Sequence, residues 1–295
     1  MTSTAPTTTA ANGDESPPAA RPDSRMIDVA GVHTQVLDTG GDGSGLPPVL
    51  LLHGSGPGVT AWANWRPVVP ALVRAGRRVL APDQLGFGGT ATGQNRQYGR
   101  AAWTAHALAL LDELGVGKVD VVGNSMGGAV ALSLACARPA AVRRIVLMGA
   151  MGNGMVLPPG LDTVWGYTPS MEGMRELIRL FAFDRSLAET DLVALRYQAS
   201  LQPTVRASWE AMFPAPRQRW VDDLALSNDE LASVRQPVLL VHGRDDQVVP
   251  IGSTSLPLLD ELADVRLHAF GNCGHWTMIE HTEEFNDLVE RFLSR

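Results

Sequence analysis

The sequence predicts an α/β fold, with a mostly parallel central sheet flanked by helices and a block of helices inserted late in the chain. Three observations carry this expectation. Short apolar runs at 49–52, 78–81, 119–122, 144–148 and 237–241 have the length and composition of strands buried on both faces, and helix-like segments separate them. The run from Val119 into Gly123-Asn124-Ser125-Met126-Gly127 leads from an apolar strand through a serine into small, helix-compatible residues, the surroundings of a G-x-S-x-G nucleophile elbow. From 151 to about 220 no strand-like run occurs, and several short amphipathic helices take its place.

The elements follow in order. Residues 1–24 are rich in Thr, Ala and Pro and lack the basic start and apolar centre of a signal peptide or anchor, so a disordered tail is expected. Residues 26–29 and 32–37 flank Ala30-Gly31 as an antiparallel hairpin at a sheet edge. After a turn, strand 49–52 runs into the glycine-rich loop His53-Gly54-Ser55-Gly56-Pro57-Gly58. A helix from Trp62 toward Leu72, a strand at 78–81 and a glycine-rich turn come next. A helix over 101–114 then puts Trp103, Ala107, Leu111 and Leu114 on its core side, with His106 at the surface or as core filler. The elbow strand and its helix, closed by Pro139, precede strand 144–148.

In the helical block, Met171, Met174, Leu177, Ile178 and Phe181 mark one helix face. Ser186-Leu187-Ala188-Glu189 has capping-box form ahead of a helix with Leu192, Leu195 and Arg196, and a third helix starts near Thr204 with Trp209 and Met212. These helices are expected to form a lid over the C-terminal edge of the sheet, where α/β folds place their sites. Strands at 237–241 and 265–270 complete the sheet, and a last helix from Thr282 carries Phe285, Leu288, Val289, Phe292 and Leu293 on one face. The implied division is a tail over 1–24, core over 25–150, lid over 151–220 and core over 221–295.

Composition narrows the function. A net charge of −7 without a Lys/Arg-rich run disfavours nucleic acid as a partner. No stretch approaches the roughly 20 apolar residues of a membrane-spanning helix. Two cysteines, Cys136 and Cys273, without C-x-x-C spacing, suggest neither a disulfide framework nor a zinc site and fit a reducing cytoplasm.

The chemistry converges on one sheet edge. Ser125, an aspartate at 245 or 246, and His275 each follow a predicted strand, in the order serine, acid, base. His275 would take the serine proton or activate water, while the aspartate would hold the imidazole tautomer. The Met126 N–H at the helix start is one oxyanion donor, and the loop at 53–58 supplies the second; the G-x-x-x-x-G-K-[ST] pattern of a phosphate cradle is absent. His53 is expected to be structural, because His275 is better placed. By itself Arg196 reads as a surface charge, and Asn64, Asn124 and Trp276 read as a helix cap, a turn residue and core filler.

With these residues in place, the sequence resembles the α/β-hydrolase fold and, within it, the meta-cleavage product hydrolases, in particular the 2-hydroxymuconic semialdehyde hydrolases. The resemblance runs from about residue 26 to the C-terminus, on LLLHGSGPGVTAWANW, VVGNSMGGAVAL, VWGYTPSMEGMRELIRLFAFDRSL with ALRYQAS, and HGRDDQVVP with FGNCGHWTMIEHTEEFN. It implies Ser125, Asp246 and His275 as the triad, and the backbone N–H groups of Ser55 or Gly56 and of Met126 as the oxyanion hole. It further implies Asn64, Asn124, Arg196 and Trp276 as substrate contacts. The implied reaction is hydrolysis of the C5–C6 bond of a 2-hydroxy-6-oxohexa-2,4-dienoate, either 2-hydroxymuconic semialdehyde or a 6-alkyl or 6-aryl analogue, in aromatic degradation. Neither metal nor organic cofactor is implied, and a cytoplasmic homo-oligomer, dimer or larger, is. The same triad would also serve a serine esterase, or persist in a non-catalytic ligand receptor; a haloalkane dehalogenase would place aspartate where Ser125 stands.

Overall fold

β1 (Ser24–Val29) and β2 (Val32–Asp38) pair antiparallel across Ala30-Gly31 at one edge of the sheet in the computed structural model, which describes residues 22–295 apart from 42 and 95. Most of the expected N-terminal tail lies outside the described residues, and Ser24 already belongs to β1. β3 (Val49–Leu52), β4 (Val79–Pro82), β5 (Val119–Asn124), β6 (Val142–Met148), β7 (Val238–Gly243) and β8 (Val265–Phe270) complete an eight-stranded sheet. Its order is β1-β2-β4-β3-β5-β6-β7-β8, antiparallel through β2–β4 and parallel from β4 onward. β3, β4, β5 and β7 are buried throughout, as strands covered by helices on both faces must be.

The single helix expected from Trp62 is two, α1 (Ala61–Trp65) and α2 (Val69–Arg74). Pro67 lies between them, and its ring and missing N–H do not continue a helix. Thr60 caps α1 by accepting from Ala63 N. α3 (Arg100–Glu113) follows β4, and α4 (Met126–Ala137) springs directly from β5. Six helices then separate β6 from β7: α5 (Pro159–Trp165), α6 (Met171–Phe181), α7 (Leu192–Ser200), α8 (Pro203–Met212), α9 (Gln218–Leu224) and α10 (Asn228–Ser233). The expected division at 220/221 falls inside α9.

The capping box expected at Ser186 does not form. Residues 185–189 make a 3₁₀ turn capped by Asp184, and α7 starts at Leu192 without a side-chain cap. A short polar run reads the same for either turn, and here Asp184 takes the Ser186 N–H first. The capping box is instead at Ser227 and Glu230, opening α10. Past β7 come α11 (Ser255–Glu261), α12 (Thr277–Glu280) and α13 (Thr282–Leu293), whose Phe285, Val289, Phe292 and Leu293 are buried. No helix among the described residues is long and apolar enough to cross a membrane.

Candidate active site

Ser125 is the one residue between β5 and α4, so the chain must reverse there within a single position. It does so at φ 54° and ψ −120°, a conformation that L residues adopt only where their surroundings impose it. Two glycines make room for the turn. A Cβ on Gly123 would come within 2.5 Å of the Gly127 carbonyl oxygen, and one on Gly127 would collide with the Leu52 carbonyl of β3. The Ser125 backbone is tied by its N–H to the Met148 carbonyl and by its carbonyl to the N–H groups of Gly128 and Met151. Met126 occupies the first position of α4, where a backbone N–H has no partner within the helix.

His275 lies between β8 and α12, and Asp246 three residues past β7. His275 Nδ1 donates to Asp246 Oδ2 at 2.6 Å, with both side chains buried. Asp246 Oδ1 accepts from the N–H groups of Val248 and Val249 at 2.8 and 2.9 Å. His242 Nε2, on β7, lies 3.3 Å from Asp246 Oδ2 and 2.9 Å from the Val249 carbonyl. Burial works to raise this carboxyl, but the charge of His275 and hydrogen bonds from His242 and His275 outweigh it and hold the group well below the usual carboxylate range. Asp245, the competing acid, turns its carboxylate to Arg244 at the surface. Thus Asp246 alone reaches the imidazole. Ser125 and His275 line the same cavity, with no hydrogen bond joining Oγ to the ring among the described residues.

That cavity is narrow, about 10 Å³ in volume. Ser55, Gly56, Asn64, Asn124, Arg196 and Trp276 all line it with Ser125 and His275. Arg196, on α7, is only 7 % exposed; no carboxylate among the described residues pairs with it, and its Nη1 has no hydrogen-bond partner. Burial, aided by the nearby charge of Arg66, lowers its pKa to about 10, which leaves it cationic at neutral pH. Its guanidinium carbon sits 5.1 Å from the centre of the Trp276 ring, a cation–π contact. Asn64 Nδ2 is likewise buried without a partner, so two donors converge unsatisfied on one cavity. Such groups cost several kcal/mol unless a ligand answers them. Asn124 differs: its Nδ2 donates to the Met148 carbonyl, which commits that amide to holding the elbow. Ser55 Oγ accepts from Trp165 Nε1 of α5, anchoring the loop that carries the Ser55 and Gly56 N–H groups.

Some residues at the site escaped sequence reasoning. His242 was hidden in a strand otherwise apolar, and its polarity there was the available signal. Phe181, read as part of a helix face, stacks on His275 at 5.8 Å and on Trp276 at 4.7 Å between ring centres. His53 is structural in its bonding: Nδ1–H donates to the Gly54 carbonyl and Nε2 accepts from Gln84 N. Among the described residues no group of three or more His, Cys, Asp or Glu is placed to hold a metal ion.

A family model described as "alpha/beta hydrolase fold" matches residues 47–282. The chain is 50% identical to the 2-hydroxymuconate semialdehyde hydrolase of Pseudomonas sp. (strain CF600), over 92% of this chain and 93% of that one. It is 49% identical to the 2-hydroxy-6-oxo-2,4-heptadienoate hydrolase of Pseudomonas putida F1, over 92% and 96%. Among solved structures, a mutant of the meta-cleavage product hydrolase CumD of Pseudomonas fluorescens IP01, complexed with acetates, superposes with a TM-score of 0.87 at 47% identity, covering 92% of this chain and 97% of that one. Matched by that family model over most of its length and half identical to such a hydrolase, this chain belongs to the α/β-hydrolase family, in its meta-cleavage product hydrolase branch.

Proposed function

We propose that this protein hydrolyses the C5–C6 bond of 2-hydroxy-6-oxohexa-2,4-dienoates formed in aromatic degradation. The observation that carries the reading is Arg196, a buried cation with an unpartnered donor atom in the cavity that also holds Ser125 and His275. An ordinary ester gives such a group nothing to bind, whereas the carboxylate end of a dienoate matches its paired donors. Asn64 Nδ2 adds a second donor for the 2-hydroxy and carboxylate end.

In this reading the dienol first becomes a ketone by moving a proton from the 2-hydroxyl to C5. His275, oriented by Asp246, then takes a proton from Ser125 Oγ or from water, and the oxygen adds to the C6 carbonyl. The developing oxyanion faces the N–H groups of Met126 and of Ser55 or Gly56. The C5–C6 bond breaks with its electron pair delocalised toward the C1–C2 end beside Arg196. Water supplies the remaining atoms, giving 2-hydroxypenta-2,4-dienoate and an acid, formate where C6 carries hydrogen. Leu161, Val164 and Val248, which line the same cavity, offer the C6 substituent an apolar wall. The helices between β6 and β7 act as the lid, and the Trp276 ring packs against Arg196. The family resemblance further supports a homo-oligomer, which sedimentation of the purified protein tests, and the two unpaired cysteines fit a cytoplasmic location.

The deciding assay follows visible absorbance of 2-hydroxymuconic semialdehyde beside a 6-phenyl analogue and a nitrophenyl ester. Rapid decay of a dienoate that Ser125→Ala abolishes is expected, and the preferred analogue sizes the pocket. Rapid ester cleavage with inert dienoates would sink the substrate assignment and leave a serine esterase.

A further inference from the structure

The reaction scheme leaves unused a contact between the helical block and the loop that carries the histidine. α6 ends at Phe181, whose carbonyl accepts from the His275 backbone N–H at 2.7 Å. Three residues later the Asp184 N–H donates to Glu280 Oε1 at 2.8 Å, and Glu280 Oε2 accepts from the Gly274 N–H at 2.7 Å. One carboxylate at the end of α12 therefore takes charge-assisted bonds from two backbones, that of the lid exit and that of the residue before His275. Gly274 has no side chain to pack, and a Cβ there would approach the Phe181 carbonyl oxygen to 2.6 Å. The loop is thus held by backbone bonds, and Glu280 receives one of them.

We propose that Glu280 is a positioning residue: its carboxylate ties the chain leaving α6 to Gly274-His275, so that seating of the lid and alignment of the imidazole are one event. The inference rests on the reading of Ser125 and His275 as the reacting pair. The Asp246 bond fixes one ring nitrogen of His275, but where the other nitrogen points follows the loop that Glu280 pins. The aromatic contacts run the same way, from Arg196 on α7 through Trp276 to Phe181 and the His275 ring. An anionic ligand end held at Arg196 would thereby press on the assembly that Glu280 closes.

The test uses the full chain and a fluorophosphonate probe, whose phosphorus bonds to Ser125 Oγ as fluoride leaves, so it reports the reacting pair without a dienoate. Asp184 has φ −74°, which proline adopts, so Asp184→Pro removes the N–H given to Glu280. Asp184→Ala keeps that N–H, and both variants lose the Asp184 side-chain bond to Ser186 N. Measured below the melting temperature, labelling and kcat on a dienoate are expected to fall about tenfold in Asp184→Pro relative to Asp184→Ala, with a smaller change in KM, as slight misplacement of a catalytic group does. Glu280→Ala should fall further, with Glu280→Gln between, since an amide oxygen can still accept one bond. Labelling of Asp184→Pro at the Asp184→Ala rate, or of Glu280→Gln at the parent rate, overturns the proposal, and the glutamine variant decides alone if the proline chain does not fold. A parent that labels but leaves dienoates intact refutes only the substrate reading, and the comparison of variants stands on labelling. A parent that does not label overturns the inference together with its reacting pair.

Discussion

Arg196 is the residue whose energetics and proposed role pull in opposite directions. Its guanidinium is buried, lies over Trp276 and keeps one nitrogen without a partner, a state that costs folding free energy. Arg196→Met should therefore raise the unfolding free energy of the ligand-free protein by about 1 kcal/mol or more, as replacement of buried charge by apolar volume does elsewhere. The same change should lower kcat/KM on dienoates by about 10- to 100-fold, the worth of a hydrogen-bonded charge, and leave nitrophenyl ester cleavage nearly unchanged. Arg196→Lys should recover little of it, because an ammonium does not present the paired donors of a guanidinium. Chemical denaturation and kinetics on the two substrate classes check both halves. A variant that is less stable and equally poor on both substrates would make Arg196 a structural residue of α7.

The strand, turn and helix around Ser125 act as one element. Because β5 is flanked by β3 and β6 and buried along its length, its end is among the least movable points of the molecule. The strained serine is held by that surround rather than by its own preference. Gly127→Ala would drive a methyl into the Leu52 carbonyl and push α4 off β3. We expect a loss of about 1–3 kcal/mol in stability, as overpacking a core contact causes. Activity should fall by more than the folded fraction accounts for, because the Met126 N–H and Ser125 Oγ move with the helix; thermal melts beside fluorophosphonate labelling separate the two. α13 is also fastened to this strand: Arg77 bridges Asp120 of β5 and Glu290 of α13, and Arg143 pairs with Asp120 from the other side.

Across the whole molecule, two of the buried histidines, His53 and His106, bear on stability in acid. His53 joins the loop after β3 to Gln84, and His106 of α3 bonds Thr34 of β2. Burial, aided by Arg196 for His53 and by Arg96 for His106, lowers each from 6.5 to about 4, so both are folded in the neutral form. The unfolded chain binds a proton on each below about 6.5 and the folded chain does not until about 4, so unfolding takes up protons in that window. Their contribution is complete above 6.5 and is lost as pH falls toward 4. Asp246, held low, loses its contribution only at more acid pH. Urea unfolding at a series of pH values should show stability falling through this window with a slope of up to about two protons, and His106→Gln should remove about half of that slope. A flat profile between pH 6.5 and 4 would contradict the neutral assignments.

The sequence by itself determined what depends on near neighbours along the chain: the apolar strands, the G-x-S-x-G turn, the hairpin at Ala30-Gly31, and the loops that carry Ser125 and His275 to one sheet edge. These follow from periodicity, turn chemistry and the right-handed βαβ crossover, which leave few alternatives. Pro67 was visible too, and it divides a segment that apolar spacing alone reads as one helix. Residue type and spacing left Asp245 and Asp246 open and the family resemblance favoured Asp246; the tertiary structure turned Asp246 inward, since adjacent residues differ in what lies across from them. It also made a solitary arginine on α7 a buried, unanswered cation, and it brought His242 to Asp246, Phe181 onto the His275 ring and Glu280 to the Gly274 N–H from three separate elements. Burial, dielectric and hydrogen-bond partners are properties of chains brought together from distant positions, so a residue's type and spacing do not carry them.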